Sequence, residues 1–209
     1  MIKNVNLLIF LILLLIIVNC PPPDDTEYEK PVIYLYPIEK SNISVNLNYS
    51  GKLICTYPEY NNGWNVTAYP DGRLFNHEDN KEYSYLFWEG QLNKTDWNIQ
   101  IGFVIEGKKS KEFLQKILPE MGLLPKEYNE FIVYWLPRLE KNKYNLIYFA
   151  GDDYNKLAGL DIKPQPDSIL RVFMVFKPLD KYVDIEEQTF KKFNRKGFTV
   201  IEWGGLMIE

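Results

Sequence analysis

Two glutamates stand where acid–base chemistry could be built. Glu89 follows Trp88 and precedes Gly90, and Glu202 precedes Trp203, Gly204 and Gly205. A carboxylate pair flanking a cleft serves as acid and base in glycoside hydrolysis, and an apolar tryptophan beside one of them raises its pKa. The plainer reading is two surface glutamates beside core tryptophans at strand ends, with the glycines making turns. Proximity, which spacing in the chain does not fix, decides between the two. Arg171 interrupts an otherwise apolar stretch, 169–176. A buried arginine needs a carboxylate, and Asp161, Asp167, Glu89 and Glu202 are available. A structural ion pair and a ligand-binding arginine both meet that need.

The aromatic side chains supply a second chemistry. Trp64, Trp88, Trp97, Trp135 and Trp203 each carry a flat face on which a sugar ring can stack, but most of them fall on strand or helix faces assigned inward; Trp88, Trp97 and Trp203 are the candidate binding residues among them. Trp97 lies in a polar stretch and is the one expected at the surface. Gly151-Asp152-Asp153-Tyr154-Asn155 gathers oxygen ligands, but without the Asp-x-Asp-x-Asp-Gly order of a calcium loop. A single histidine, His77, argues against zinc. No phosphate-binding glycine loop and no Gly-x-Ser-x-Gly elbow is present, so no metal and no cofactor is expected. Cys55 has no base to activate it and reads as a small buried residue on a strand, with a Cys20–Cys55 disulfide as the rival.

Short strands must position these residues. Residues 31–37 form an apolar run bounded by prolines. Ile43, Val45, Leu47 and Tyr49 alternate with polar residues, the mark of a strand with one wet face. Further strands are expected at Lys52–Tyr57, 64–69 and 73–75, separated by Asn61-Asn62-Gly63 and by the tight-turn signal Pro70-Asp71-Gly72. Tyr83 to Trp88 carries large side chains on both faces and predicts a central strand ending at Glu89-Gly90. Ile99, Ile101, Phe103 and Ile105 alternate again.

The period then changes. Phe113, Leu114, Ile117, Leu118 and Met121 make one helical stripe after Ser110, closed by Gly122. Pro125 opens a second helix, with Tyr128, Phe131, Ile132 and Trp135 at i, i+3, i+4 and i+7 and Pro137 set to end or kink it. Strands follow at 146–149 and 169–176, then a helix over 186–196 with Phe190 and Phe193 inward, then a last strand over 198–203. The fold class is α+β. A β-sandwich-like region over 31–106 is followed by a mixed region over 107–209, with Gly107–Lys109 as the exposed turn between them.

The N-terminus carries an address. Lys3 precedes a continuous apolar run, Leu7 to Val18, that spans about 18 Å as a helix against a hydrocarbon core of about 30 Å. That is a signal peptide, residues 1–20. Its end, Ile17-Val18-Asn19-Cys20 before three prolines, resembles a bacterial lipoprotein signal in which Cys20 is acylated and becomes the new N-terminus. Asn19 departs from the usual small residue there; an uncleaved anchor is the alternative. Residues 21–30, with prolines and four acidic residues, read as a solvated linker. The expected partners are a membrane, through the lipid on Cys20, and an extracellular glycan or protein. A net charge of −4 without a basic run argues against nucleic acid.

Five blocks carry a resemblance. Lys30-Pro31-Val32-Ile33-Tyr34-Leu35-Tyr36-Pro37, Tyr85-Leu86-Phe87-Trp88-Glu89-Gly90, Tyr134-Trp135-Leu136-Pro137-Arg138, Pro166-Asp167-Ser168 with Arg171-Val172-Phe173-Met174, and residues 197–205 together look like a family of uncharacterised bacterial and fungal proteins. The resemblance covers nearly all of 30–209. It implies one continuous unit and brings no activity with it. An exported binding module is the favoured functional reading, and a hydrolase using Glu89 and Glu202 is the alternative.

Overall fold

The structure is a computed structural model that describes residues 25–93 and 97–208. The expected signal peptide, Cys20 and the start of the linker lie outside the described residues. The strands in chain order are β1 (Asp25–Tyr36), β2 (Ser41–Tyr49), β3 (Lys52–Tyr57), β4 (Trp64–Ala68), β5 (Leu74–Asn76), β6 (Lys81–Tyr83), β7 (Leu86–Asn93) and β8 (Ile101–Glu106). A 3₁₀ turn (Gly107–Lys109) leads into helices α1 (Ser110–Met121) and α2 (Pro125–Leu139). Then come β9 (Tyr144–Phe149), α3 (Gly151–Leu157), β10 (Ala158–Lys163), β11 (Ser168–Leu179), β12 (Glu186–Glu187) and β13 (Thr199–Met207). The chain is a mixed α and β protein in one compact unit. β1 takes in residues 25–30, which the sequence assigned to the linker.

Two sheets and a helical layer account for the burial. The large sheet has the order β12-β8-β9-β11-β13-β1-β7-β3, and the small one β10-β2-β4-β5-β6. Strand alternation sends side chains to opposite faces of the large sheet. Ile33, Leu35, Trp88, Phe173, Val175 and Val200 meet Val45, Trp64, Val66 and Leu74 of the small sheet. Val32, Tyr34, Val172, Met174, Ile201 and Trp203 meet Leu114, Leu118, Phe131 and Trp135 of the two helices. Strands buried on both faces have no polar phase, which is why β1, β11 and β13 read as continuous apolar runs.

The two regions drawn from the sequence interleave. β13 pairs antiparallel with β1 and parallel with β11, and β10 pairs with β2. Three expectations are corrected. Residues 186–196 are not a helix: after two residues of strand the chain has no regular secondary structure, and the Gln188 amide bonds both the N–H and the carbonyl of Phe149 in place of a ladder. Phe190 and Phe193 still turn inward. Gly151-Asp152-Asp153-Tyr154-Asn155 is not a loop but the start of α3, with both aspartates in its first turn, where the helix dipole favours negative charge. The aromatic run is not one central strand either: it bends at Ser84–Tyr85 and passes from β6 in the small sheet to β7 in the large one.

The glycines after Glu89 and Glu202 do not end their strands. β7 runs on through Gly90 and β13 through Gly204 and Gly205. They make room: a Cβ on Gly90 would sit 2.5 Å from the Tyr49 ring, and one on Gly205 would sit 2.9 Å from the Trp135 ring. Each glycine admits a large aromatic from the neighbouring layer onto the sheet.

Candidate functional site

Glu202 and Arg171 are direct neighbours across the parallel pair β13–β11 and point into the space between the sheets. Their side chains are 1% and 8% exposed. The Arg171 Nε donates to Glu202 Oε2. The Trp88 Nε1 donates to Glu202 Oε1 at 3.1 Å, and the Tyr154 hydroxyl donates to the same oxygen at 3.2 Å. Arg171 Nη1 donates to Asn155 Oδ1 at 2.9 Å and to the Ala158 carbonyl. The guanidinium carbon lies 4.3 Å from the centre of the Tyr154 ring, a cation–π contact. Burial, then the Glu202 charge, pushes the Tyr154 phenol well above its ordinary value. Of the four carboxylates open to Arg171 on sequence grounds, Glu202 is the partner. The centre joins β7, β11, β13 and α3.

The carboxylate pair does not assemble. Trp88 and Glu202 share the inter-sheet face. Glu89, the next residue on a regular stretch of β7, points to the other face with Phe87. A pair on opposite faces of one sheet cannot flank a substrate. Trp88 and Trp203 are fully buried and offer no stacking face. Trp97, expected at the surface, is half-buried: it packs on the inter-sheet core and stacks with Phe173 at 6.3 Å. Arg171 is paired with Glu202, and its buried Nη2 has no hydrogen-bond partner among the described residues. Cys55 is exposed on the edge strand β3 as a free thiol, not buried. Among the described residues no cluster of histidine, cysteine or carboxylates could hold a metal, and no helix is long and apolar enough to cross a membrane.

A second polar cluster, on the helical side, was not evident in the sequence. Glu127 is fully buried at the start of α2, where its carboxylate accepts the Leu124 N–H at 2.8 Å. Arg195 forks onto it, with Nη1 to Oε1 at 3.0 Å and Nη2 to Oε2 at 2.5 Å, and Nη2 also donates to the Gly122 carbonyl at 3.0 Å. Tyr34 donates its hydroxyl to Glu130 at 3.0 Å. Burial first, then Glu130 for Tyr34 and Glu127 for Tyr36, pushes both phenols far above their ordinary value. The only sequence signal was Glu127 three residues after Leu124, at the capping position ahead of a helical stripe.

A surface groove of about 790 Å³ falls in the size range of ligand sites. It lies between the end of β8, the first turns of α1, Tyr144 at the start of β9 and Tyr182 beyond β11. Phe113, Tyr144 and Tyr182 supply aromatic area, and Lys108, Lys109 and Lys116 supply cations. Tyr182 is 58% exposed and meets Tyr144 edge-on at 6.2 Å. Three segments distant in the chain build the groove, so no spacing in the sequence announces it.

Comparison with known proteins gives one curated relative, "Uncharacterized protein in bglA 3'region" of Butyrivibrio fibrisolvens, 52% identical over 64 residues. The match covers 29% of this chain and 65% of that relative's length. No family model and no solved structure matches the chain.

Proposed function

We propose that the protein is exported, held to a membrane by lipid on Cys20, and acts as a binding module for an extracellular glycan or protein. The observation that carries the reading is the groove between β8, α1 and Tyr182. Its volume falls in the range of ligand sites, about 300–1,000 Å³, and it presents aromatic and cationic groups together. The hydrolase reading lacks its geometry, because Glu202 is saturated by Arg171, Trp88 and Tyr154 and faces away from Glu89. The sequence before the fold supports export: a short apolar run closed by cysteine and three prolines.

Two measurements test it. Cells fed a clickable fatty acid label the wild type and not Cys20→Ala; equal labelling of both would sink the anchor. A glycan and protein array probed with the full chain gives discrete positives that Tyr182→Ala weakens. Product release from any arrayed glycan would overturn the binding assignment.

A further inference from the structure

We infer that the groove takes a carboxylated saccharide, an inference that rests on the binding-module reading above. The charges in the groove are not equivalent. Glu106 accepts from Lys109 at 2.9 Å, and Glu112 lies 3.6 Å from Lys111. Lys108 and Lys116, both exposed, make no ion pair among the described residues. Two ammonium groups are thus left to face the groove on a chain whose net charge is −4. Lys109, the N-cap residue of α1, and Glu112, Phe113 and Lys116 within it fall at i, i+3, i+4 and i+7, one stripe along the start of the helix. Cations and carboxylates therefore alternate beside the aromatic wall over about 10 Å of helix.

That alternation selects the ligand. An anion alone satisfies Lys108 and Lys116, but it meets Glu106 and Glu112 as like charges. An acidic peptide offers one neutral donor per residue, its backbone N–H, whereas each uronate of a polymer offers two hydroxyls. A uronic acid polymer carries both parts: its carboxylate pairs with an ammonium, and its hydroxyls donate to the glutamates. Its C–H faces lie against Tyr144 and Tyr182, whose edge-to-face contact sets two ring surfaces at an angle of 69°. A neutral sugar would use the rings and the glutamates and leave both lysines without an anion.

Calorimetry on the full chain in detergent tests this. The probes are hexagalacturonate, maltohexaose as the neutral match and oligoglutamate as the acidic peptide. Hexagalacturonate is expected to bind at least tenfold tighter than either control and to weaken as salt rises. Lys108→Gln with Lys116→Gln is expected to remove that preference. Tyr182→Ala weakens binding about tenfold at low and high salt alike. All three positions are at the surface or partly so, and unchanged melting curves establish that the variants fold. Equal binding of maltohexaose overturns the acidic specificity, and equal binding of oligoglutamate overturns the saccharide. Binding untouched by the substitutions overturns the groove. Hexagalacturonate silent while other array ligands bind defeats this inference alone; a blank array defeats the binding-module reading with it.

Discussion

Replacing Glu202 by leucine tests the reasoning about the buried centre most directly. Glu202 is the acceptor for three donors: the Arg171 guanidinium, the Trp88 indole and the Tyr154 phenol. Leucine fills similar volume and accepts nothing. Arg171 would keep Asn155 and the Ala158 carbonyl but lose its only opposite charge while remaining 8% exposed. Removing one member of a buried pair costs about 3–5 kcal/mol. At about 2–4 °C per kcal/mol for a chain of this size, the melting temperature falls by about 6–20 °C. The double variant Arg171→Met with Glu202→Leu leaves the Trp88 and Tyr154 donors without this acceptor and the Asn155 and Ala158 oxygens without this donor, but no stranded charge. It should therefore be more stable than Glu202→Leu alone, with a coupling of about 1–3 kcal/mol in the cycle. Urea denaturation of the four proteins supplies the numbers. A Glu202→Leu cost under about 1 kcal/mol, or strictly additive singles, would refute the account of this centre as a structural ion pair.

Other expectations follow from the same contacts. Arg195→Met strands the buried Glu127 carboxylate and should cost about 3–5 kcal/mol in urea denaturation, whereas Lys126→Met on the exposed face of α2 should cost under about 0.5. Gly90→Ala drives a methyl into the Tyr49 ring and should cost about 1–3 kcal/mol, part of it recovered when Tyr49→Leu is added. At high pH the tyrosines govern stability. The hydrogen bond to Asp79, then burial, pushes the Tyr83 phenol up to about 12 from 10.0. A raised folded value means stability that is complete below the unfolded value and lost as pH rises through the folded one. The urea midpoint should thus begin to fall above pH 10 and keep falling to about pH 12, with a shallower slope in Tyr83→Phe. Asp79 is held below its ordinary 3.8 chiefly by the same hydrogen bond, so the contact contributes above that pH and is lost as pH falls through the lower folded value. Tyr83→Phe should flatten the acid limb too.

The parts of the fold legible in the sequence are those with a clean period. Ile43, Val45, Leu47 and Tyr49 announced β2, and the stripes from Phe113 to Met121 and from Tyr128 to Trp135 announced α1 and α2. Two elements were missed: α3 has only seven residues, and β10 has no clean alternation, with Ala158 and Ile162 buried but Gly159 and Leu160 both half-buried. The helix expected over 186–196 rested on two phenylalanines three apart, and Gln188 and Arg195 bond to other elements along a stretch that forms no helix. Glycine misled where it was read as a turn, because Gly90 and Gly205 serve as gaps for rings from another layer, which no local pattern encodes. Arg171 was marked as needing a carboxylate, but only the register of β11 on β13 selects Glu202 among four. The face that Glu89 takes follows from β7 continuing past Gly90, which the same misreading of glycine hid.

The position of β13 has a consequence for how the chain acquires its structure. It lies between β1 and β11 in the large sheet and holds the earliest described strand to one of the last. A chain that emerges N-terminus first can pair β1 with β7 and β7 with β3, and later β9 with β11, but these half-sheets have no seam until residues 199–207 arrive. Loop closure over so long a span is slow, and parallel pairing of β11 with β13 adds to the delay. Until β13 docks, the inner edges of β1 and β11 stand unpaired, and these are the edges on which misassembly would start.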